Sequence, residues 1–234
     1  MKHINIFSSV SEYETAKSGG TLITPNVSFI NESAGIICLP KLEDPYNGYE
    51  YVDLGLPSGL KWATCNIGAS SPEKAGLYFA WGETTGYTAD QITNSERLFT
   101  QDVYNAGPAA SIETDLTLEQ DAAHVNMGGN WRMPTKTEYK ELIDNCNVVW
   151  TDDYNGTGVK GRIFTSKVNG NSVLFSTNGY CQGSSVYNVG LTGYFWSASY
   201  ESSLGAHFLF FNFGIHMTQI TNRYSGHNVR AVCE

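Results

Sequence analysis

Tyr51-Val52-Asp53-Leu54-Gly55-Leu56-Pro57-Ser58-Gly59-Leu60-Lys61-Trp62-Ala63-Thr64-Cys65 is the stretch on which the fold turns. Apolar and polar residues alternate on both sides of Pro57-Ser58-Gly59, the pattern of two strands joined by a tight turn. Further along, Pro134 precedes Thr135, and Glu138 stands three residues beyond it. That spacing lets the Thr hydroxyl and the Glu carboxylate satisfy each other's backbone amides at a helix start. Tyr139, Leu142, Ile143 and Cys146 then recur on one helical face, which is expected to pack on a sheet. A first helix is expected near Thr117, with Gln120 at the same spacing, running through Ala122, Ala123 and Val125. From Val159 onward the chain breaks into short β segments with Gly and Asn turns: 161–165, 172–176, 193–199, 206–213 and 227–233. Helices early and strands late predict an α+β domain whose irregular antiparallel sheet is completed by the C-terminal strand.

Upstream of the hairpin, Pro45-Tyr46-Asn47-Gly48 reads as a turn and a boundary. Residues 1–47 then form a β-rich attachment segment, with strands at 3–7, 27–30 and 34–39 and one or two helical turns at 11–17. Residues 48–234 form the main domain. The chain has 234 residues, enough for such a domain plus a small appendage.

Hydrophobic residues make up 41% of the chain, enough for a core, but charged residues only 16%, below the ~25% of ordinary soluble domains. Asn, Ser, Thr, Gly and Tyr carry the polarity instead, a surface that binds through hydrogen bonds and aromatic contact, as paratopes do. The net charge of −9 with no Lys/Arg cluster excludes nucleic acid as an expected partner. It also argues against an anionic membrane surface. No run approaches ~18 apolar residues, so no membrane insertion is expected. The start, Met1-Lys2-His3-Ile4-Asn5-Ile6-Phe7, shows no visible signal peptide.

Cys38, Cys65, Cys146, Cys181 and Cys233 include no CxxC pair, which excludes a zinc knuckle or thioredoxin motif on spacing. They read best as buried thiols, with one structural disulfide left open. His3, His124, His207, His216 and His227 follow no zinc-ligand spacing, so no metal site and no cofactor are expected. Thr151-Asp152-Asp153-Tyr154-Asn155-Gly156 fails as a calcium loop, because Thr151 and Arg162 stand at its first and twelfth positions. The Glu-Pro-Asn, Gln-Pro-Asp and Trp-Asn-Asp strings of calcium-dependent sugar binders do not occur. A structural calcium elsewhere is left open. No P-loop, GxSxG or dinucleotide fingerprint is present.

Five strings occur in a distinctive order: Gly48 to Asn66, Tyr78-Phe79-Ala80-Trp81-Gly82-Glu83-Thr84-Thr85, Gly129-Asn130-Trp131-Arg132-Met133-Pro134-Thr135, Gly193-Tyr194-Phe195-Trp196-Ser197-Ala198-Ser199 and Asn228-Val229-Arg230-Ala231-Val232. Together they resemble the Fibrobacter succinogenes major paralogous domain family of Bacteroidetes and their phages, over residues 48–234. The resemblance implies a C-type-lectin-like fold related to formylglycine-generating enzymes. It further implies kinship with the variable proteins of diversity-generating retroelements, in which replacements near the C-terminus, here about 193–234, fall on exposed positions of a stable frame. Formylglycine-generating relatives use a cysteine pair. Cys181 and Cys233 are the candidates in the C-terminal part and neither has a recognisable surrounding motif, so no catalytic residue is assigned.

The stretch from Tyr200 to His227 is rich in aromatic and aliphatic side chains among small polar ones. Alternate residues of a strand face opposite ways. If Leu209 and Phe211 point inward, Phe208 and Phe210 point outward; the opposite phase, or a sandwich covering both faces, is equally compatible with alternation. The expected ligand-facing positions are Tyr200, Ser202, Ser203, Leu204, His207, Phe208, Phe210, Asn212, Phe213, His216, Thr218, Ile220, Thr221, Tyr224 and His227. Trp196, Leu209, Phe211, Val229 and Val232 are expected to be frame, and Arg230 a buried ion-pair partner. The expected function is recognition of a host cell-surface protein or glycan by a phage tail-fibre receptor-binding protein at the virion's fibre tip. In that setting residues 1–47 contact other virion or fibre proteins and the chain forms a homotrimer. The alternatives are a bacterial cell-surface adhesin, a structural virion protein, and, remotely, a formylglycine-generating-type oxidase.

Overall fold

The computed structural model describes residues 44–234. The expected N-terminal strands and helical turns, with His3 and Cys38, lie outside the described residues. Pro45–Glu234 forms one compact unit, an α+β arrangement of mostly antiparallel strands with few, short helices.

The expected hairpin is present. Strand β1 (Tyr51–Asp53) pairs antiparallel with β2 (Lys61–Ala63), Val52 opposite Trp62. Gly59 adopts a left-handed φ of 74° and its N–H closes the turn on the Leu56 carbonyl at 2.8 Å, a conformation suited to a residue without Cβ. After the hairpin come two helices not anticipated from the sequence, α1 (Ala89–Thr93) and α2 (Gln101–Asn105), each opened by a threonine cap. Their brevity explains why periodicity missed them: a five-residue helix shows little more than one turn of pattern. The helix expected from Thr117 is split. Its capping box sits on a single 3-10 turn, and α3 (Ala122–Met127) starts afresh from Asp121. The Asp121 carboxylate accepts the amides of Ala123 and His124 and, from across the chain, Met133. Burial pushes its pKa up against those hydrogen bonds.

Helix α4 (Lys136–Asn145) forms as the Thr135/Glu138 pattern predicts, with both capping-box bonds present. Arg132 adds a bidentate pair to Glu138, at 2.9 and 2.7 Å. Tyr139 and Leu142 are buried, and the helix lies against the C-terminal sheet as its apolar face requires. The hairpin turn is tied to it, since the Ser58 amide and hydroxyl both donate to Glu141.

Among the described residues the strands form four sheets. Strands β3 (Cys146–Thr151), β4 (Gly161–Ser166) and β5 (Ser172–Ser176) form one, and β6 (Tyr180–Gln182) and β7 (Ser185–Tyr187) a small hairpin. Strands β8 (Gly193–Tyr200), β9 (Gly205–Phe211) and β10 (His216–Asn222) form a third, in the order β10-β9-β8. The last strand, β11 (Val232–Cys233), joins β1 and β2, so the final residues close a sheet with the hairpin. The strand expected over 227–233 is shorter than predicted. His227 and Asn228 instead make single bridges to Phe79 and Phe195, and the Asn228 amide donates to the Ala75 and Leu77 carbonyls. That segment stitches several elements together and extends no single ladder.

Two cores result, and the β8–β10 sheet divides them. One side of the sheet contributes Phe195, Leu209 and Phe211 to a cluster with Trp62, Tyr139, Leu142, Phe164 and Phe175. The other contributes Trp196, Ala206 and Phe208 to a cluster with Trp81, Phe79 and Val229. Arg230 is buried as expected, but not as an ion pair. Its guanidinium donates to the Asn66 side chain and to the Ala63 and Leu174 carbonyls, and desolvation lowers its pKa to about 10. Neutral acceptors in a dry site hold the cation in place of a carboxylate.

Candidate binding face

The C-terminal sheet places the expected binding residues in separate neighbourhoods. Trp196, Leu209, Phe211, Val229 and Val232 are fully buried, as frame residues should be. Leu209 and Phe211 point to the α4 side, so Phe208 and Phe210 share the other face, but that face is largely covered. Phe208 is only 2% exposed. Tyr194 stacks on it at 5.3 Å, with Trp196 and His227 at 6.1 and 5.0 Å. His227 is itself buried, stacked on Trp196 at 4.0 Å. Phe208 and His227, expected to face outward, therefore lie in the core. Phe208 has a second hydrophobic layer above it, formed by residues distant in sequence.

What that face does present is a row of aromatic rings. Tyr180 stands directly opposite Tyr187 in the β6–β7 hairpin, their rings stacked at 5.6 Å. Tyr180 meets Tyr194 at 4.9 Å, and Tyr194 meets Phe210 edge-on at 5.2 Å. Met217, 42% exposed, lies across the ladder from Phe210, and exposed Gln219 lies across from Phe208. Tyr187 is 45% exposed, and Tyr180, Tyr194 and Phe210 are half-buried. Each ring is thus braced by its neighbour while one edge meets solvent. Burial and the nearby Tyr180 raise the Tyr194 pKa, so its hydroxyl stays protonated at neutral pH. Of the expected residues, Phe210 and Thr221 belong to this face, and half-buried Tyr224 lies just beyond β10 with its hydroxyl accepting from Asn222. Tyr180, Tyr187, Tyr194, Met217 and Gln219 were missed. The available signal was the pair of tyrosines flanking Gly183-Ser184, a hairpin pattern short enough to escape notice.

The other expected positions lie elsewhere. Ser202, Ser203 and Leu204 form an exposed turn held from below. The Ser202 hydroxyl accepts the amides of Leu204 and Gly205, and buried Arg223 donates to the Ser203, Ile112 and Ala109 carbonyls. That guanidinium sits 4.5 Å from the Trp81 ring and 5.7 Å from half-buried Tyr200. Asn212 and Phe213 make the β9–β10 turn. The Asn212 side chain accepts the amides of Gly214 and Ile215, and Phe213 is 73% exposed with its ring 5.8 Å from Trp150. His207, His216, Thr218 and Ile220 fall on the α4 side of the sheet by alternation with Leu209 and Phe211. There His207 meets Glu201 at 2.7 Å and Lys136 at 3.2 Å. Burial and then the Arg162 charge lower the His216 pKa, keeping the ring neutral.

Among the described residues no group of three His, Cys, Asp or Glu side chains is arranged to hold a metal ion. In the 151–162 loop, Asp152 accepts from Trp150, and Asp153 accepts the Gly158 amide. Cys65, Cys146 and Cys181 are free thiols. Burial pushes the Cys181 thiol well above its ordinary pKa, the reverse of what an activated nucleophile needs. Cys233 is buried with its Sγ donating to the Pro45 carbonyl at 3.5 Å. Comparisons with protein-family models, with curated proteins and with solved structures return no match to this chain.

Proposed function

We propose that this chain is a recognition protein whose binding face is the aromatic row Tyr187, Tyr180, Tyr194, Phe210 and Met217, carried on a C-type-lectin-like scaffold. The observation that carries the reading is the bracing of those rings. They stand on short, paired strands and meet one another stacked, tilted and edge-on, with one side in solvent. Rings held this way lose little freedom on binding and offer their exposed edges as apolar contact to a partner. The closure of β1 and β2 by the last strand, with a capped helix against the sheet, supports the lectin-like assignment. The resemblance of the five sequence strings supports a phage tail-fibre tip as the setting and a host cell-surface protein or glycan as the ligand. Variation directed by a retroelement would then act on the exposed positions near the C-terminus, Leu204, Phe213, Met217 and Ile220 among them.

The test is binding of the labelled full chain to a panel of Bacteroidetes cells. Tyr187→Ser combined with Met217→Ser, both at exposed positions, is expected to weaken binding at least about tenfold. Unchanged binding would remove the face from consideration. Protease or periodate treatment of the cells distinguishes a protein ligand from a glycan.

A further inference from the structure

Among the described residues strand β10 has a neighbour on one side only, because the sheet order is β10-β9-β8. Two hydrogen bonds establish which of its backbone groups face outward. The Arg223 amide donates to the Leu204 carbonyl, and the Asn212 amide to the Ile215 carbonyl, both at 3.0 Å. Both pairs continue the unbroken β9–β10 register. Bonded and non-bonded pairs alternate along an antiparallel ladder. Met217, Gln219 and Thr221 therefore turn their backbone groups toward β9, and His216, Thr218 and Ile220 turn theirs away. Among the described residues nothing bonds to those outward groups.

Proteins usually guard such an edge with Lys, Pro, a bulge or a covering element. His216-Met217-Thr218-Gln219-Ile220-Thr221-Asn222 has none of these residues and no register shift. It also carries no Asp, Glu, Lys or Arg in a chain of net charge −9. Two copies of this acidic chain repel over most of their surface and meet at least cost where charge is absent.

We propose that β10 pairs antiparallel with β10 of a second copy of this chain, about a two-fold axis at Thr218, joining two sheets into one. An isologous contact must be self-complementary, and this strand is. The outward groups of His216, Thr218 and Ile220 are spaced symmetrically about Thr218, so each finds a counterpart. On the α4 side, exposed Ile220 falls opposite His216 of the partner subunit, and Thr218 meets Thr218 of the partner subunit, a favourable cross-strand pair. On the aromatic side, Met217 falls opposite Gln219 of the partner subunit. No pair sets like charges together. Because Met217 ends the aromatic row, the pairing brings two such rows together and makes the combined face bivalent.

Sedimentation velocity on the full chain, from about 1 to about 100 µM, is expected to show a monomer–dimer equilibrium. Thr218→Pro deletes an outward N–H while sparing the β9 ladder, and Ile220→Lys places cations at the joint. Each is expected to raise the dimer Kd on the order of tenfold or more, with an unchanged melting transition at concentrations below the wild-type Kd, where both chains are monomers. If Thr218→Pro proves unstable, Ile220→Lys still decides. Met217→Cys with Gln219→Cys is expected to yield a covalent dimer on oxidation, since non-bonded pairs hold their Cα atoms ~4.5 Å apart. A wild-type chain that stays monomeric, a trimer, or an oligomer indifferent to both substitutions would overturn the proposal.

Discussion

Strands β9 and β10 have the same length and pair residue for residue, yet their surroundings are opposite. Strand β9 contributes to a core on each face, through Leu209 and Phe211 on one and Ala206 and Phe208 on the other. Strand β10 exposes Met217 and Ile220 and, among the described residues, has no strand along its outer edge. The more aromatic strand is the hidden one. Aromatic content therefore does not mark display here; the cover laid over each strand does. Strand β8, at the other end of the same sheet, is buried on both faces like β9, through Phe195 and Trp196, whereas none of the β10 side chains is fully buried.

Substitution tests that contrast most sharply. Phe208→Ala is expected to cost about 3–5 kcal/mol, the range for deleting a buried ring, read from urea denaturation. Met217→Ala on the neighbouring strand should stay within about 0.5 kcal/mol. Equal losses at the two positions would dissolve the distinction.

The seal over β9 also predicts a pH dependence. His227 is wholly buried among Trp196, Tyr194 and Phe208, and neither ring nitrogen has a hydrogen-bond partner. Burial holds its pKa well below the ordinary value. The folded chain keeps the ring neutral while the unfolded chain protonates it near pH ~6.5. This contribution to stability is therefore complete above that pH. It falls as pH drops toward the folded pKa, by up to about 1.4 kcal/mol per pH unit. His216, lowered in the same direction but half-buried, adds a smaller slope of the same sign. Chemical denaturation between pH 7.5 and 5, compared with His227→Leu, measures the term: the variant should lose most of the slope.

On the opposite face the cover is α4, and its start depends on Thr135. Thr135→Ala removes the cap on the Glu138 amide and is expected to cost about 1 kcal/mol. A thermal melt that does not move would mean that the Arg132–Glu138 pair alone holds the helix start. An effect as small as that at Met217 is expected at Phe213, 73% exposed at the β9–β10 turn. Phe213→Ser should change stability by less than about 0.5 kcal/mol, read from the same urea denaturation.

Local chemistry was legible where it is self-contained. The Pro57-Ser58-Gly59 turn, the Thr135/Glu138 box and strands β4, β5, β8 and β9 all follow from patterns a few residues long. Strand β3 was hidden because it starts where α4 ends, with Cys146 serving both as cap and as first strand residue. Strand β10 was hidden because its His-Met-Thr-Gln-Ile-Thr-Asn sequence does not alternate apolar with polar residues, and none of its side chains is fully buried to enforce alternation.

Residue order alone assigns Phe208 and Phe210 to one side of a strand and Leu209 and Phe211 to the other. It cannot say what lies over either side, because Trp196, Tyr194 and His227 reach Phe208 only after the chain has folded back on itself. The aromatic row likewise depends on a junction invisible locally, the meeting of Tyr180 on β6 with Tyr194 on β8, which belong to different sheets. Alternation is a property of a strand, but exposure is a property of the layers stacked on it, and those are set by contacts between residues far apart in the chain.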